Sequence, residues 1–502
     1  MTQRRWRARR AGVAIVAALI GASSTVYART IAVPAGANLQ QALNVAAPGD
    51  VVTLDNGAVY TGNFVLPDRG AATAAIIIRP AKVDRLPGAG QRVEPDDAPL
   101  LPRLHSPNGA PALRTAAGAR GWRVELVELT ARAGGPGEIV ALGDGSSAQR
   151  RIEQVPRDLV LDRCYILGTP DAAQKRCIAL NSADTTVTGS YVADCKAVGQ
   201  DSQAIAGWNG PGPFTISNNY LQAAGENILF GGGDPAIPDL VPSDIVISGN
   251  LIEKPLAWRG SRWSVKNLVE VKNGRRVRIV DNVIRHNWQA AQTGYAILLT
   301  VRNQNGGCPW CQVEEVTVER NRIAGVAGGI SILGHDDQHP SRQTRAIVIR
   351  HNLITDLDPR RWGGRGYFML LLGAPRDITV HHNTIIQSNA AGLLQVEGPP
   401  VLGFVFTANV ARHGEYGIIG TNRGPGADTI RAYLPESRIE GNLIAGADAG
   451  RYPDRNIYPA AAEFDGQFVD AANGDYRLTP RLRARLEKAD PPGADLTKVP
   501  AP

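Results

Sequence analysis

Three stretches of the chain, LVEVKN at 268–273, LLTVRN at 298–303 and GHDD at 334–337, bring together residue types that could do chemistry. They supply Glu270, Lys272, Arg302, His335, Asp336 and Asp337. Singly, each has a plain structural reading: an exposed Glu–Lys pair contributes at most ~1 kcal/mol, and a lone histidine is usually a hydrogen-bonded loop residue. Side by side in a groove they would support β-elimination from a uronate polymer. The C5 proton of a uronate is weakly acidic, so the sugar carboxylate must be neutralised before a base removes it and an acid assists the leaving oxygen. Lys272 is the candidate base, because a neighbouring guanidinium and partial burial both disfavour an ammonium. Arg302 would clamp the carboxylate or protonate the leaving oxygen. Glu270, Asp336 and Asp337 are hard oxygen ligands of the kind calcium takes. The same set also offers a second chemistry, glycoside hydrolysis by Glu270 and Asp336. These would stand roughly 10 Å apart, at the upper edge of the ~6.5–9.5 Å typical of inversion. Asn273, Asn303 and Asp337 are candidate sugar contacts at the strand ends, and Trp208 and Trp288 offer stacking faces.

These residues can meet only if something stacks segments that are well separated in the chain, and an internal repeat does so. ISNNYL, ISGNLI, IVDNVI, VERNRI, IRHNLI, VHHNTI, FTANVA and IEGNLI place asparagines at positions 219, 250, 282, 321, 352, 383, 409 and 442, a nearly regular spacing. Each unit reads as a period-2 strand, a bend at Asn and a second apolar strand position. Such a unit cannot bury its own face and must coil on its neighbours. Parallel strands then stack ~4.8 Å apart, and the asparagines form a column, each tolerating the left-handed conformation and bonding to the next coil. A second strand series, including NILFGG, LVEVKN, AILLTV, GISILG and FMLLLG, aligns by its inward residues Ile205, Ile228, Val269, Ile297, Ile330, Met369 and Leu393. One outward column then holds Ala206, Leu229, Glu270, Leu298, Ser331 and Leu370, and the next holds Trp208, Gly231, Lys272, Thr300 and Leu333. Arg302 and His335–Asp337 follow on the two succeeding layers.

The repeat resembles the right-handed parallel β-helix proteins of the pectate-lyase-like group, which implies an all-β solenoid. NLQQALNVA, near the start, is similar to that group's capping helix. Cys164 and Ser190 stand where later coils have Asn. Within the group, EVKN and LLTVRN are similar to polysaccharide lyase family six, the alginate and chondroitin lyases. The resemblance implies that Lys272 and Arg302 are the catalytic pair, with calcium assisting. Two features depart from that family's pattern: the interval from Lys272 to Arg302, and the Asn-Gln that follows Arg302 where the family typically has His-Gly. The expected organisation is a cap and first coils over 29–150, a β-helix core over 151–450 and a C-terminal cover over 451–502, with 85–120 as loop.

Positions 1–28 read as an export signal: a basic RRWRARR head, an apolar run from Ala11 to Ala22, then Val26 and Ala28 as small cleavage positions. The run, about 12 residues, falls short of the ~20 that span a bilayer. A secreted or periplasmic monomer with no membrane attachment after cleavage is expected. The formal charge of +7 includes five arginines of that head, so the mature chain stands near +2 and no nucleic-acid partner is implied. Five cysteines are too few for a disulfide scaffold. CPWC at 308–311 follows the loop sequence NQNGG and reads as a local staple rather than a redox or metal motif. A polysaccharide substrate is the expected partner. A non-catalytic binding or surface protein on the same fold is the reading from another class.

Overall fold

The computed structural model describes residues 1–2, 28–70, 74–135, 137–486 and 491–501, so the apolar run of the expected export signal lies outside the described residues. The chain winds as a right-handed parallel β-helix of three sheets. Sheet A has fourteen strands, from Thr30–Val33 to Arg438–Glu440. Sheet B has thirteen, from Val59–Thr61 to Leu443–Ala445, and sheet C has twelve, from Phe64–Leu66 to Ile418–Gly420. A coil runs A to B to C, and each strand pairs in parallel with its counterpart one coil on. The interior is filled by Val, Ile and Leu at alternate positions: Val269, Ile297 and Ile330 are fully buried, as are Ile247, Ile279 and Val318 in sheet A. Each such side chain contributes roughly 1.5–3 kcal/mol by leaving water.

The bend from sheet A to sheet B is set by the repeated asparagine. Asn219 donates its backbone N–H (2.9 Å) and its Nδ2 (3.0 Å) to Oδ1 of Asn250. Asn250 Nδ2 also reaches back to the carbonyl of Ile216 at 2.9 Å. The pattern repeats to Asn442, whose N–H meets Asn456 Oδ1 at 2.9 Å. At the other end Ser190 substitutes, its Oγ accepting from the Cys164 N–H at 3.0 Å. The left-handed residue is not the asparagine, as expected, but the one before it: Asn218, Asp281, Arg320, His351, His382 and Ala408 have φ between 52° and 59°, and Gly249 and Gly441 take 63° and 70°. The preceding residue makes the turn, which leaves the carboxamide free to point along the axis.

Sheet C carries a bulge at its strand starts. The N–H groups of Asn227 and Ile228 both donate to Leu268 O, and those of Leu393 and Leu394 both donate to Gly417 O. One consequence is a correction: Leu394, not Leu393, pairs with Met369 in the inward column. A second is that the first side chain of a strand is re-aimed, so Glu226 joins Gln203 and Arg176 in an outer row despite sharing the parity of inward Ile228.

The ends are closed as the composition suggests. Asn38 Oδ1 caps the helix Leu39–Val45, which buries Leu39, Ala42 and Leu43 on the first coil. Residues 85–120, expected as loop, contain strands Arg103–Ser106 and Leu113–Thr115 of sheets B and C, so the same three sheets run unbroken through residue 150. At the far end, Phe464, Phe468 and Leu482 pack on Val410, Leu443 and Ala445. Cys308–Cys311 and Cys177–Cys195 are disulfides, and Cys164 is a buried thiol.

Replacing Asn282 by Ala removes the acceptor of Asn250's N–H and Nδ2 and the donor to Ile247 O, all buried. The expected cost is roughly 2–4 kcal/mol, from leaving these groups unsatisfied. Urea unfolding followed by tryptophan fluorescence measures it. A loss below about 1 kcal/mol would mean that the column does not set stability.

Candidate active site on sheet C

The outer face of sheet C presents a continuous polar row. Arg176 bonds Glu138 (2.7 Å) and Gln203 (3.1 Å), and Gln203 Nε2 donates to Glu226 at 2.9 Å. One coil on, Asn267 and Glu270 extend the row, with Asn267 Nδ2 donating to Glu270 at 3.4 Å. Lys272 Nζ lies 3.4 Å from Glu270 Oε1, and Thr300 Oγ1 donates to the same oxygen at 3.3 Å. Register places Glu270 between Leu229 and Leu298, as the columns require. The Arg302 N–H donates to Lys272 O at 2.9 Å, so these two side chains stand on adjacent coils. Lys272 keeps 17% of its side chain exposed and Arg302 26%, whereas Glu270 keeps 2%.

Asp336 and Asp337 meet Arg302 but do not face the groove in the same way. Arg302 Nη1 donates to both carboxylates at 2.7 Å. Asp336 also accepts from the N–H groups of Asn303 (2.5 Å) and Gln338 (2.9 Å), and its side chain has no exposure. It braces the loop and orients the guanidinium. Both of its oxygens accept hydrogen bonds, Oδ1 from Arg302 and Gln338 and Oδ2 from Asn303. Asp337 is open to solvent, and the Arg302 contact holds its carboxyl below the usual range against a desolvation that acts the other way. His335 is exposed at the mouth of the same loop.

The expected sugar contacts divide. Asn273 and Asn303 are fully buried, and their amides serve loop backbone: Gln312 N–H and Leu240 O for Asn273, Cys308 N–H and Pro340 O for Asn303. Trp288 is 5% exposed in a cluster with Trp258, Val265 and Trp362. Buried in that cluster, Trp288 leaves little of its ring open to solvent. Trp208 differs: it lines a cleft of about 580 Å³ on the same face, with Arg114, Glu138, Asp144 and Asn181. Its Nε1 donates to Gly145 O at 2.9 Å, and the Arg176 guanidinium lies 4.7 Å from its ring centre.

Glu226, Asn267 and Lys254 are the residues that sequence reasoning missed. Glu226 and Asn267 were hidden because the bulge breaks the alternation used to align the columns; the polar residue that opens four successive sheet C strands, Glu138, Arg176, Gln203 and Glu226, was the available signal. Glu226 Oε1 and Asn267 Oδ1 are buried without a hydrogen-bond partner. Burial first, then the charges of Glu270 and Asp201, push the Glu226 carboxyl up to about 7. Behind it the Lys254 amine is enclosed by the carbonyls of Ala223, Ala224 and Gly225 and by Asn227 Oδ1, at 2.7 to 3.1 Å. Burial pulls that amine down, while Glu226 opposes the shift.

No protein-family model matches the sequence, and no curated protein is significantly similar to it. Among solved structures the chain is similar to the PL6 family alginate lyase AlyGC, with a TM-score of 0.57 at 14% identity. The match covers 94% of this chain and spans only 57% of that enzyme's length. It is also similar to the catalytic unit of a thermostable GH87 α-1,3-glucanase from Streptomyces thermodiastaticus strain HF3-3. There the TM-score is 0.52 at 14% identity, over 84% of this chain and 69% of that one. At these identities the likeness is one of fold.

Glu226 holds its proton to about 7, whereas an unperturbed glutamate loses it near 4.5. The folded chain therefore binds more protons than the unfolded chain across that window, and its stability falls as pH rises through it. Measured in chelator, the unfolding temperature of Glu226→Gln should decline less between these pH values than that of the wild type. An equal decline in both would mean that Glu226 ionises normally.

Proposed function

We propose that the chain is a carbohydrate-active enzyme that cleaves an acidic, uronate-containing polysaccharide by β-elimination on the outer face of sheet C. The observation that carries the reading is Lys272 on the outer face of sheet C, ion-paired to Glu270 and one coil from an Arg302 whose guanidinium is fixed by two aspartates. A guanidinium stays charged at any working pH, so Arg302 serves as a carboxylate clamp rather than a proton donor. Nη1 supplies both aspartate contacts, and the fork geometry of the remaining N–H groups suits a planar carboxylate. To act as the base, Lys272 must first give up the proton that its ion pair with Glu270 implies, and as the amine it then takes the C5 proton. The C5–H electron pair becomes the C4–C5 double bond, the C4–O bond breaks, and the leaving oxygen is protonated from the open side of the groove, where His335 is exposed.

Calcium, which the resemblance implies, fits this face at a place other than Asp336 and Asp337. Glu226 and Glu270 are carboxylates on adjacent coils, the charge of Glu270 raises the cost of ionising Glu226, and the buried oxygens of Glu226 and Asn267 want a partner. Those three residues would hold the ion, which would supply neutralisation of the sugar carboxylate. Lys266, beside Asp201 and 3.9 Å from Glu226, limits the negative charge when no ion is bound. The Trp208 cleft extends the same face by several coils and would take further sugar units of the chain.

The test is ultraviolet detection of unsaturated uronate during incubation of the mature protein with a panel of acidic polysaccharides, with calcium or with chelator. Absorbance growth should occur on at least one polymer, and Lys272→Ala should lower its rate by about 10²–10⁴-fold. Arg302→Ala should act mainly by raising KM, and Glu226→Gln by raising the calcium needed. Reducing ends without absorbance would replace the lyase reading with a hydrolase. Neither signal, with polymer still retained, would leave a binding protein.

A further inference from the structure

Three of the chain's eight histidines converge at the bend between sheets A and B, away from the sheet C groove. We propose that His351, His381 and His382 form a binding site for a divalent transition-metal ion of the zinc class. One ring nitrogen from each lies within 4.8 Å of the others. His381 Nδ1 and His382 Nδ1 are 2.9 Å apart, and the rings of His351 and His382 stack at 5.1 Å between centres. Two imidazole nitrogens at that separation must share a proton or a cation between their lone pairs. Tetrahedral zinc at ~2.0–2.1 Å from nitrogen sets ligand atoms about 3.4 Å apart, which side-chain rotation alone can reach from here.

The bend itself does not call for imidazole. The same left-handed position is filled by Asn218, Gly249, Asp281, Arg320, Ala408 and Gly441 on other coils, so the fold accepts almost any residue there. Histidine occurs at this position on two successive coils, and His381 adds the third ring from the end of a sheet A strand. All three are half-buried, which keeps them ordered yet reachable. His351 opens to a cleft of about 490 Å³ whose other walls come from the C-terminal segment, including Arg477, Asp495 and Lys498. Two of the cations that line the cleft are paired, Arg477 with Asp475 at 2.5 Å and Lys498 with Asp495 at 3.0 Å, and Arg350, next to His351 in sequence, pairs with Glu319 at 3.1 Å. The segment is tied over the bend by Gly493 N–H to Ala408 O and Ala494 N–H to Thr384 Oγ1, both at 2.9 Å. A metal joining His351 to the next coil's pair would pin two coils directly beneath it. Nitrogen-only donors select zinc, copper or nickel over calcium, so this site and any calcium on sheet C are chemically separate.

The test is equilibrium dialysis of the untagged mature protein against zinc chloride near neutral pH, with metal analysis. One ion per chain is expected, unaffected by excess calcium. His351→Asn and His382→Asn, chosen because asparagine accepts a positive φ, should each weaken binding by about tenfold or more. On the unsubstituted chain, zinc should shield these three histidines from diethylpyrocarbonate, while His339 stays reactive by peptide mass. No binding, binding undiminished in both variants, or no shielding of the three rings would each overturn the proposal.

Discussion

The structure depends on one repeated hydrogen bond, the carboxamide of each bend asparagine accepting from the asparagine one coil before. A parallel stack has no hairpin turns to lock its register, and a slip by one residue would turn every inward valine or isoleucine to solvent. The column from Cys164 to Asn456 removes that freedom at a single corner. From Asn250 to Asn442 each carboxamide is buried, accepts twice and donates to a carbonyl of the preceding coil, so a slipped coil would leave several buried polar groups unpaired at once. With register fixed there, loops at the other corners can vary in length without displacing the strands. The long interval between Asn282 and Asn321 shows this: it contains the Cys308–Cys311 staple and Arg302, yet Val269, Ile297 and Ile330 still pair in line.

That division explains what could be read from the residues alone. The inward column and the Glu270–Lys272–Arg302 arrangement follow from period-2 alternation plus a repeat length, both of which are linear features. The bulge at the start of sheet C is not linear. It arises because two consecutive N–H groups share one carbonyl, and it hid Glu226 among inward positions and moved Leu394 into the place expected for Leu393. Loop conformation was equally illegible. GHDD looks like an exposed acidic pair, but a turn closed by the Gln338 N–H folds Asp336 under Arg302, and only Asp337 remains outside. Trp288 belongs to the same class of error, because its partners Trp258 and Trp362 arrive from bends on other coils, far away in the sequence.

The sheet C face is organised electrostatically in a way that no single pair reveals. Glu138, Arg176, Gln203 and Glu226 form a hydrogen-bonded row on successive coils, and the row meets Glu270 and Lys272 at the next. Arg176 balances Glu138, Gln203 is neutral, and at Glu226 and Glu270 two carboxylates adjoin with almost no solvent to separate them. Such a junction is unfavourable unless a cation lies near, and the chain supplies two partial answers. Lys266 stands at 3.9 Å on the outer side, and Lys254 lies beneath.

Lys254 shows which of these answers is built in. Its Nζ has four oxygen acceptors and no hydrogen-bond donor among its contacts, an arrangement that suits an ammonium with three N–H groups better than a neutral amine. Three of those acceptors are the consecutive carbonyls of 223–225, the bend that delivers Glu226 to the sheet. The same cation thus holds the backbone that positions Glu226 and offsets part of its charge from the side away from the groove. Glu226 Oε1, left without a hydrogen bond, keeps its remaining demand for positive charge on the groove side. A carboxylate fixed from behind and unsatisfied in front is suited to sharing a cation with Glu270. On the proposed lyase reading, it thereby sets the local field in which Lys272 and an anionic sugar would meet.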